Sequence, residues 1–229
     1  MKSIIQTPTN NLENSIEFYK KLDFKIISGN SSTLVSDGKA FIEINPDRFA
    51  RAGLKLFKNS WKEEVAQLEK LTHVTHSEKT YILSSPSGTW VYLVEGGAPT
   101  NDHLQEKSFG LTGNFQGLSL ETTDIKRSVD FWHIFGFAKT MGDIEQGWMS
   151  LAGDDGMTIS LMKPLCCPHL FFNPSMTYFN GKENMAIIEK IRQIKIPIVE
   201  EITHFNKEGI VDNIIIRDPG GFGFFIFSD

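Results

Sequence analysis

Long apolar runs are missing from this chain of 229 residues: none reaches the roughly 18–20 residues that a bilayer-spanning helix needs. The opening residues, Met1-Lys2-Ser3-Ile4-Ile5-Gln6, lack the apolar segment of roughly 7–15 residues that marks a secretory signal. Cysteine is scarce, and the two present are neighbours, Cys166-Cys167, which cannot staple distant parts of a fold. A cytoplasmic, reducing location with no membrane partner is therefore expected. Lys/Arg runs are also absent and the net charge is −5, which argues against a nucleic-acid partner. There is no nucleophile elbow, no phosphate-binding glycine loop and no zinc-protease helix, so no catalytic residue is assigned.

What is present is globular composition, 40% hydrophobic and 22% charged, enough to build a real core. The chain also repeats itself. Leu12, Ile16 and Tyr19 recur at helical spacing ahead of Leu22-Asp23-Phe24, and Ile125, Val129 and Trp132 do so ahead of Phe135-Gly136-Phe137. Asn10 or Asn11, and Thr123 or Asp124, are suitable helix N-caps. Near the end of each half a tight turn precedes a β-branched and aromatic strand: Ser85-Pro86-Ser87-Gly88 before Thr89–Val94, and Asp218-Pro219-Gly220-Gly221 before Phe222–Phe227. A second helix repeats too, from Trp61 to Leu71 and from Glu183 to Ile194. The expected organisation is one domain over residues 1–96, an exposed linker over 97–112 rich in Gly, Pro and polar residues, and a second domain over 113–229.

The stretch from Thr7-Pro8 through Ser15-Ile16-Glu17-Phe18-Tyr19 to Leu22-Asp23-Phe24 resembles the opening strand and helix of the vicinal oxygen chelate superfamily. That superfamily contains glyoxalase, bleomycin-resistance and extradiol-dioxygenase proteins. The two Pro-containing turns resemble its closing Asp-Pro-x-Gly turn, and the likeness spans nearly the whole chain. The resemblance implies an α+β fold of repeated βαβββ modules, two per half, forming two curled mixed sheets with helices on the outside. It also implies a cleft in which a His or Gln on each module's first strand and a Glu on its last hold a divalent metal. The positions matching those ligands are Ile4 and Gly117 on the opening strands and Tyr92 and Phe225 on the closing strands, with Gly53 or Leu54 and Met176 or Thr177 on the second modules' first strands. None is a usual ligand for such a metal. No metal and no cofactor are therefore expected.

Strand alternation then selects the residues that face the clefts. Trp90 and Tyr92 fall on one side of the first closing strand, and Gly223, Phe225 and Phe227 on one side of the second. Matching Asp37 with Asp154 places Phe41 and Glu43 beside Thr158 and Ser160. Gln6 shares a face with Ile4, Arg48 and Arg51 stand at a rim able to meet an anion, and Glu43 and Glu121 are the carboxylates expected to face the two clefts, where unpaired burial would raise their pKa, with no evident partner to complete a catalytic set. The candidate ligand-binding set is thus Gln6, Phe41, Glu43, Arg48, Trp90, Tyr92, Glu121, Thr158, Ser160 and Phe225. Two further groups, His73-Val74-Thr75-His76 and Cys166-Cys167-Pro168-His169, are read as loops rather than metal sites. The expected function is a glyoxalase-like, metal-independent protein binding a small apolar or aromatic molecule, as a monomer or homodimer. Two alternatives stand beside it: a metal-dependent lyase or dioxygenase with displaced ligands, and an interaction module with filled clefts.

Overall fold

The computed structural model describes residues 1–29, 32–99 and 105–228. The first half contains β1 (Lys2–Pro8), α1 (Leu12–Lys21), β2 (Lys25–Gly29), β3 (Thr33–Ser36), β4 (Phe41–Asn45), β5 (Gly53–Lys58), α2 (Lys62–Leu68), β6 (Thr75–Ser77), β7 (Thr80–Ser84) and β8 (Trp90–Glu95). The second repeats the order with β9 (Phe115–Glu121), α3 (Ile125–His133), β10 (Ala138–Asp143), β11 (Trp148–Ala152), β12 (Thr158–Met162), β13 (Ser175–Phe179), α4 (Asn184–Gln193), β14 (Ile198–Ile202), β15 (Asn213–Arg217) and β16 (Gly223–Phe227). Each half forms one eight-stranded mixed sheet, ordered β2-β3-β4-β1-β5-β8-β7-β6 and β10-β11-β12-β9-β13-β16-β15-β14. The two orders are the same, so each half is a pair of βαβββ modules joined through the antiparallel pairing of β1 with β5, or of β9 with β13.

The duplication extends to individual hydrogen bonds. Asn11 caps α1 by accepting from the Asn14 N–H at 3.0 Å, and Asp124 caps α3 by accepting from the Arg127 N–H at 2.9 Å. Behind each cap a Thr–Ser hydroxyl pair closes the first turn, Thr9 with Ser15 at 2.8 Å and Thr122 with Ser128 at 2.7 Å. Both helices end through a residue of left-handed backbone, Asp23 (φ 61°) and Gly136 (φ 84°), after which the chain bonds back to the last turn. The helices lie on one face of each sheet, because Ile5, Ile42, Leu54, Leu56, Val91 and Leu93 alternate with cleft-facing neighbours and are fully or almost fully buried.

The helix-covered faces of the two sheets share a single hydrophobic core. Phe18 and Tyr19 of α1 reach across to Phe224 of β16, and Trp61 meets Phe135 edge-on at 6.0 Å. At the centre stands Asp218, wholly buried in the second closing turn. Its carboxylate accepts from Thr7 Oγ1 (2.6 Å) and from the Tyr19 hydroxyl (2.9 Å) of the first half, and from the Phe222 N–H (2.7 Å). Close packing beside it leaves no room for a side chain at Gly220, where a Cβ would collide with the Pro8 carbonyl oxygen.

The expected linker is only partly exposed. Its residues 100–104, with His103 among them, lie outside the described part, but from Gln105 onward the chain is bonded to the first half. Gln105, Phe109 and Leu111 donate their N–H groups to the carbonyls of Gly38, Asp37 and Leu22, and Lys25 sits over the Phe109 ring. Gly and polar composition marked it as a connection without revealing that its backbone is used to cover the end of α1 and the β3–β4 turn. Among the described residues no helix is long and apolar enough to cross a membrane.

Burial raises the Asp218 pKa, against the lowering effect of its hydrogen bonds. Asp218→Ala should cost about 3 kcal/mol or more, since it strands two hydroxyls and one N–H, whereas Tyr19→Phe should cost about 1 kcal/mol. A carboxyl with a raised folded pKa contributes stability that is present below its unfolded pKa and lost as pH rises through the folded value. Asp218→Asn should accordingly gain on the wild type as pH climbs from 4 toward neutrality. Urea unfolding at stepped pH checks all three.

Candidate functional site

The register identifies the residues that stand where the superfamily's ligands would be. Ile4 pairs with Lys55, and Lys55 pairs with Tyr92, giving one row across the first cleft. Gly117 pairs with Thr177, and Thr177 with Phe225, giving the matching row in the second. The first-strand position of the second module is therefore Lys55, not Gly53 or Leu54. Gly53 lies one pleat further along, and Leu54 points into the core. In the other half it is Thr177, because Met176 is a core residue.

Neither row fits a divalent metal. The second offers one hydroxyl, Thr177 Oγ1, already bonded to Ser119 Oγ at 2.6 Å. Gly117 is held at φ 135° beside a break in the β9–β13 register, and a Cβ there would fall against the Thr158 carbonyl. No side chain, ligand or otherwise, fits that position. The first row offers an alkyl group, an ammonium and a phenol. Among the described residues no group of three or more His, Cys, Asp or Glu is placed to hold a metal ion. His76, expected in a loop, lies on β6 and pairs with Glu69 at 3.0 Å.

The second cleft is packed with its own side chains. Phe225, expected on a ligand-binding wall, is 2% exposed in a cluster with Ile202, Ile215 and Phe227. The chain between β12 and β13 folds over them. It brings the Phe171 ring to 5.1 Å and the His169 ring to 5.2 Å from Phe225, and seats Phe172 against Gly223. Glu121, expected to face this cleft, anchors the segment by accepting from the Leu165 N–H at 3.1 Å. Cys167 lies in the same segment against Met162, and burial pushes its thiol up, disfavouring the thiolate. Thr158 and Ser160 are on the cleft side of β12 as expected, with Ser160 Oγ 3.3 Å from Ser150 Oγ. Their turn is organised by Asp155, which accepts from the Met157 N–H as Asp37 accepts from that of Lys39.

The first cleft is filled at one end and open at the other. Ile4, Leu34 and Phe41 are buried together with Phe57 against them, so Phe41 belongs to the plug. Beyond it lies a cavity of about 690 Å³. Gln6, Glu43, Asn45, Lys55 and Tyr92 form its polar floor, and Phe49, Ile82 and Val94 give apolar wall. Gln6 is engaged at both ends: its oxygen accepts from Asn45 Nδ2 and its nitrogen donates to the Arg51 carbonyl, each at 2.9 Å. Tyr92 is turned to the same backbone, its oxygen 3.2 Å from the Arg51 N–H, and burial raises its pKa so that the phenol stays protonated. Glu43 is not unpaired. Lys55 reaches across β1 to its Oε2 at 2.6 Å, with both side chains only about 15% exposed.

Besides Phe41, two residues expected on the first cleft fall outside this cavity. Trp90 shares the cleft face but sits at the exposed start of β8, 39% accessible. Arg48 is exposed with its guanidinium 4.7 Å from the Phe49 ring centre, while Arg51 spends its guanidinium on the Ala50 carbonyl. Lys55 is a cavity residue absent from the set expected from sequence. Its signal was present: a lysine between Leu54 and Leu56 must face away from the core.

Gly117→Ala should destabilise the protein by about 2–4 kcal/mol, combining left-side backbone strain with overpacking against β12. Gly88→Ala is the matched control: it has positive φ but open space around it, and should cost only about 1 kcal/mol. Unfolding midpoints separate the two.

No protein-family profile matches the chain, and no curated protein matches it by sequence. Solved structures do. An extradiol ring-cleaving dioxygenase from B. fuscum superposes over 99% of this chain and 70% of its own, with TM-score 0.63 and 13% identity. The 2,2',3-trihydroxybiphenyl 1,2-dioxygenase of Sphingomonas wittichii strain RW1 matches over 99% and 91%, with TM-score 0.57 and 13% identity. The 2,3-dioxygenase LapB of Pseudomonas sp. KL28 matches over 97% and 89%, with TM-score 0.57 and 15% identity. With the duplicated sheets and their shared strand order, these likenesses give the chain the same fold as those extradiol dioxygenases.

Proposed function

We propose that this protein binds a small organic molecule in the open end of its first cleft, without a metal at the superfamily's ligand row. The observation that carries this reading is the Glu43–Lys55 pair on the cavity floor. Two charges withdrawn from water lose hydration that their mutual attraction only partly returns, so such a pair is a poor device for stability alone. The second half shows that the fold does not need it. There the corresponding strand positions carry Ser160 and Thr177, and the sheet forms in the same order.

The lining alters the ligand expected from sequence. An aromatic wall suggested an apolar or aromatic molecule, but most of the cleft aromatics are used as packing. What remains is an apolar wall above a charged floor, which suits a molecule with an apolar body and a polar head.

Ligand-observed NMR with a mixed fragment library tests the reading. Fragments should bind the wild type, and Thr80→Trp, which fills the cavity from β7, should abolish binding while leaving the fold intact. A fragment at about one hundred times its Kd should raise stability by about 2.7 kcal/mol, equivalent to a Tm increase of about 5–10 °C. Dialysis against EDTA should change neither binding nor Tm. Binding that survives Thr80→Trp, or that disappears with EDTA, overturns the reading.

A further inference from the structure

Resting on that reading, we propose that the cavity recognises a free α-amino acid with an apolar side chain. The neutral groups of its floor are already bonded to one another and to the backbone. Gln6 and Tyr92 are turned to Asn45 and the Arg51 backbone, which leaves Glu43 and Lys55 as the floor's charged groups with bonding capacity to offer. Lys55 uses one N–H on Glu43 Oε2, so two N–H groups and the second carboxylate oxygen have no hydrogen bond from the described protein. A carboxylate acceptor and an ammonium donor thus stand side by side, 2.6 Å apart at their contact.

The complement of that arrangement is an ammonium and a carboxylate joined through one carbon. A ligand ammonium beside Glu43 and a ligand carboxylate beside Lys55 alternate four charges around a ring, with every neighbour of opposite sign. A simple carboxylic acid would satisfy Lys55 but meet Glu43 and the nearby Asp47, and a simple amine would satisfy Glu43 but meet Lys55. An α-hydroxy acid shares the geometry yet brings a net negative charge to a lining that holds two carboxylates and one lysine. The zwitterion adds none. From the α-carbon the side chain is left to Phe49, Ile82 and Val94, and 690 Å³ leaves ample room for one the size of leucine or phenylalanine.

The pair's asymmetry between the halves agrees with this use. Other residues of the rows are engaged within their own half: Ile4 joins the plug, Tyr92 is bonded to the Arg51 backbone, Phe225 joins the aromatic cluster, and Thr177 bonds Ser119. Glu43 and Lys55 alone place charge on an open floor.

Calorimetric titration of the wild type with L-leucine and L-phenylalanine, and with leucinamide, N-acetyl-leucine and 2-hydroxy-4-methylpentanoate, tests the inference. The free amino acids should bind, and loss of either the ligand's carboxylate or its ammonium should weaken binding at least about tenfold, the effect of removing one charge-assisted hydrogen bond. The hydroxy acid should bind more weakly than leucine. Glu43→Gln and Lys55→Met, with folding verified by circular dichroism, should each weaken leucine binding by a similar factor. The derivative series uses only wild-type protein, so it decides the matter even where a variant misfolds. The inference is overturned if neither amino acid binds at about 10 mM, if the blocked derivatives bind as well as leucine, or if the hydroxy acid binds better. Should fragments bind in the Thr80-blocked cavity's wild-type form while amino acids do not, this inference falls and small-molecule binding stands. If nothing binds, both fall.

Discussion

Everything else in the molecule depends on the sharing of one hydrophobic core by the helix-covered faces of both sheets. Strand alternation forces each sheet to present two chemically separate faces. Here the outer faces meet, with α1 reaching Phe224 and the Asp218 carboxylate bonded to Thr7 and Tyr19 across the boundary. The apolar area that holds the fold together is thereby concentrated on one side of each sheet. The concave faces carry little of that burden, and so can differ without loss of the fold.

They do differ, and the duplication makes each half a control for the other. The same row holds Ile4, Lys55 and Tyr92 in one copy and Gly117, Thr177 and Phe225 in the other. In the second copy the connection after β12 lays His169, Phe171 and Phe172 over the cleft, and the aromatic strand beneath completes a dry cluster. In the first, the connection after β4 closes only the rim. Asn45, Asp47 and Arg51 hold it through backbone contacts, leaving the space beneath open. A difference in where two loops fold thus separates a filled cleft from a cavity.

The fold was legible because its signals are local and repeated. Asn11 with Ser15, and Asp124 with Ser128, announce helix starts. Asp23 and Gly136 announce their ends, and the two Pro-Gly turns announce the closing strands. The candidate site was legible only where alternation decided it. Gln6, Glu43 and Tyr92 face the cavity as period two requires, yet Phe41 and Phe225 on the same faces are buried as packing. Trp90 has the right parity but lies at the end of its strand, and Arg48 stands outside because its loop turns it onto Phe49. Lys55 escaped because its place opposite Ile4 depends on how β5 pairs with β1, a register set by the loop after β4. Glu43 could not be recognised as paired before that register was known.

The sequence by itself determined the duplicated α+β architecture, the helix caps and the turns. These follow from backbone preferences and periodicities that act over a few residues. Only the tertiary structure decided that the first cleft is open and the second filled, that Lys55 meets Glu43 across an intervening strand, and that Asp218 ties the halves together. Such contacts join residues far apart in the chain, as Thr7 and Asp218 are, and are set by packing of whole sheets rather than by any local preference.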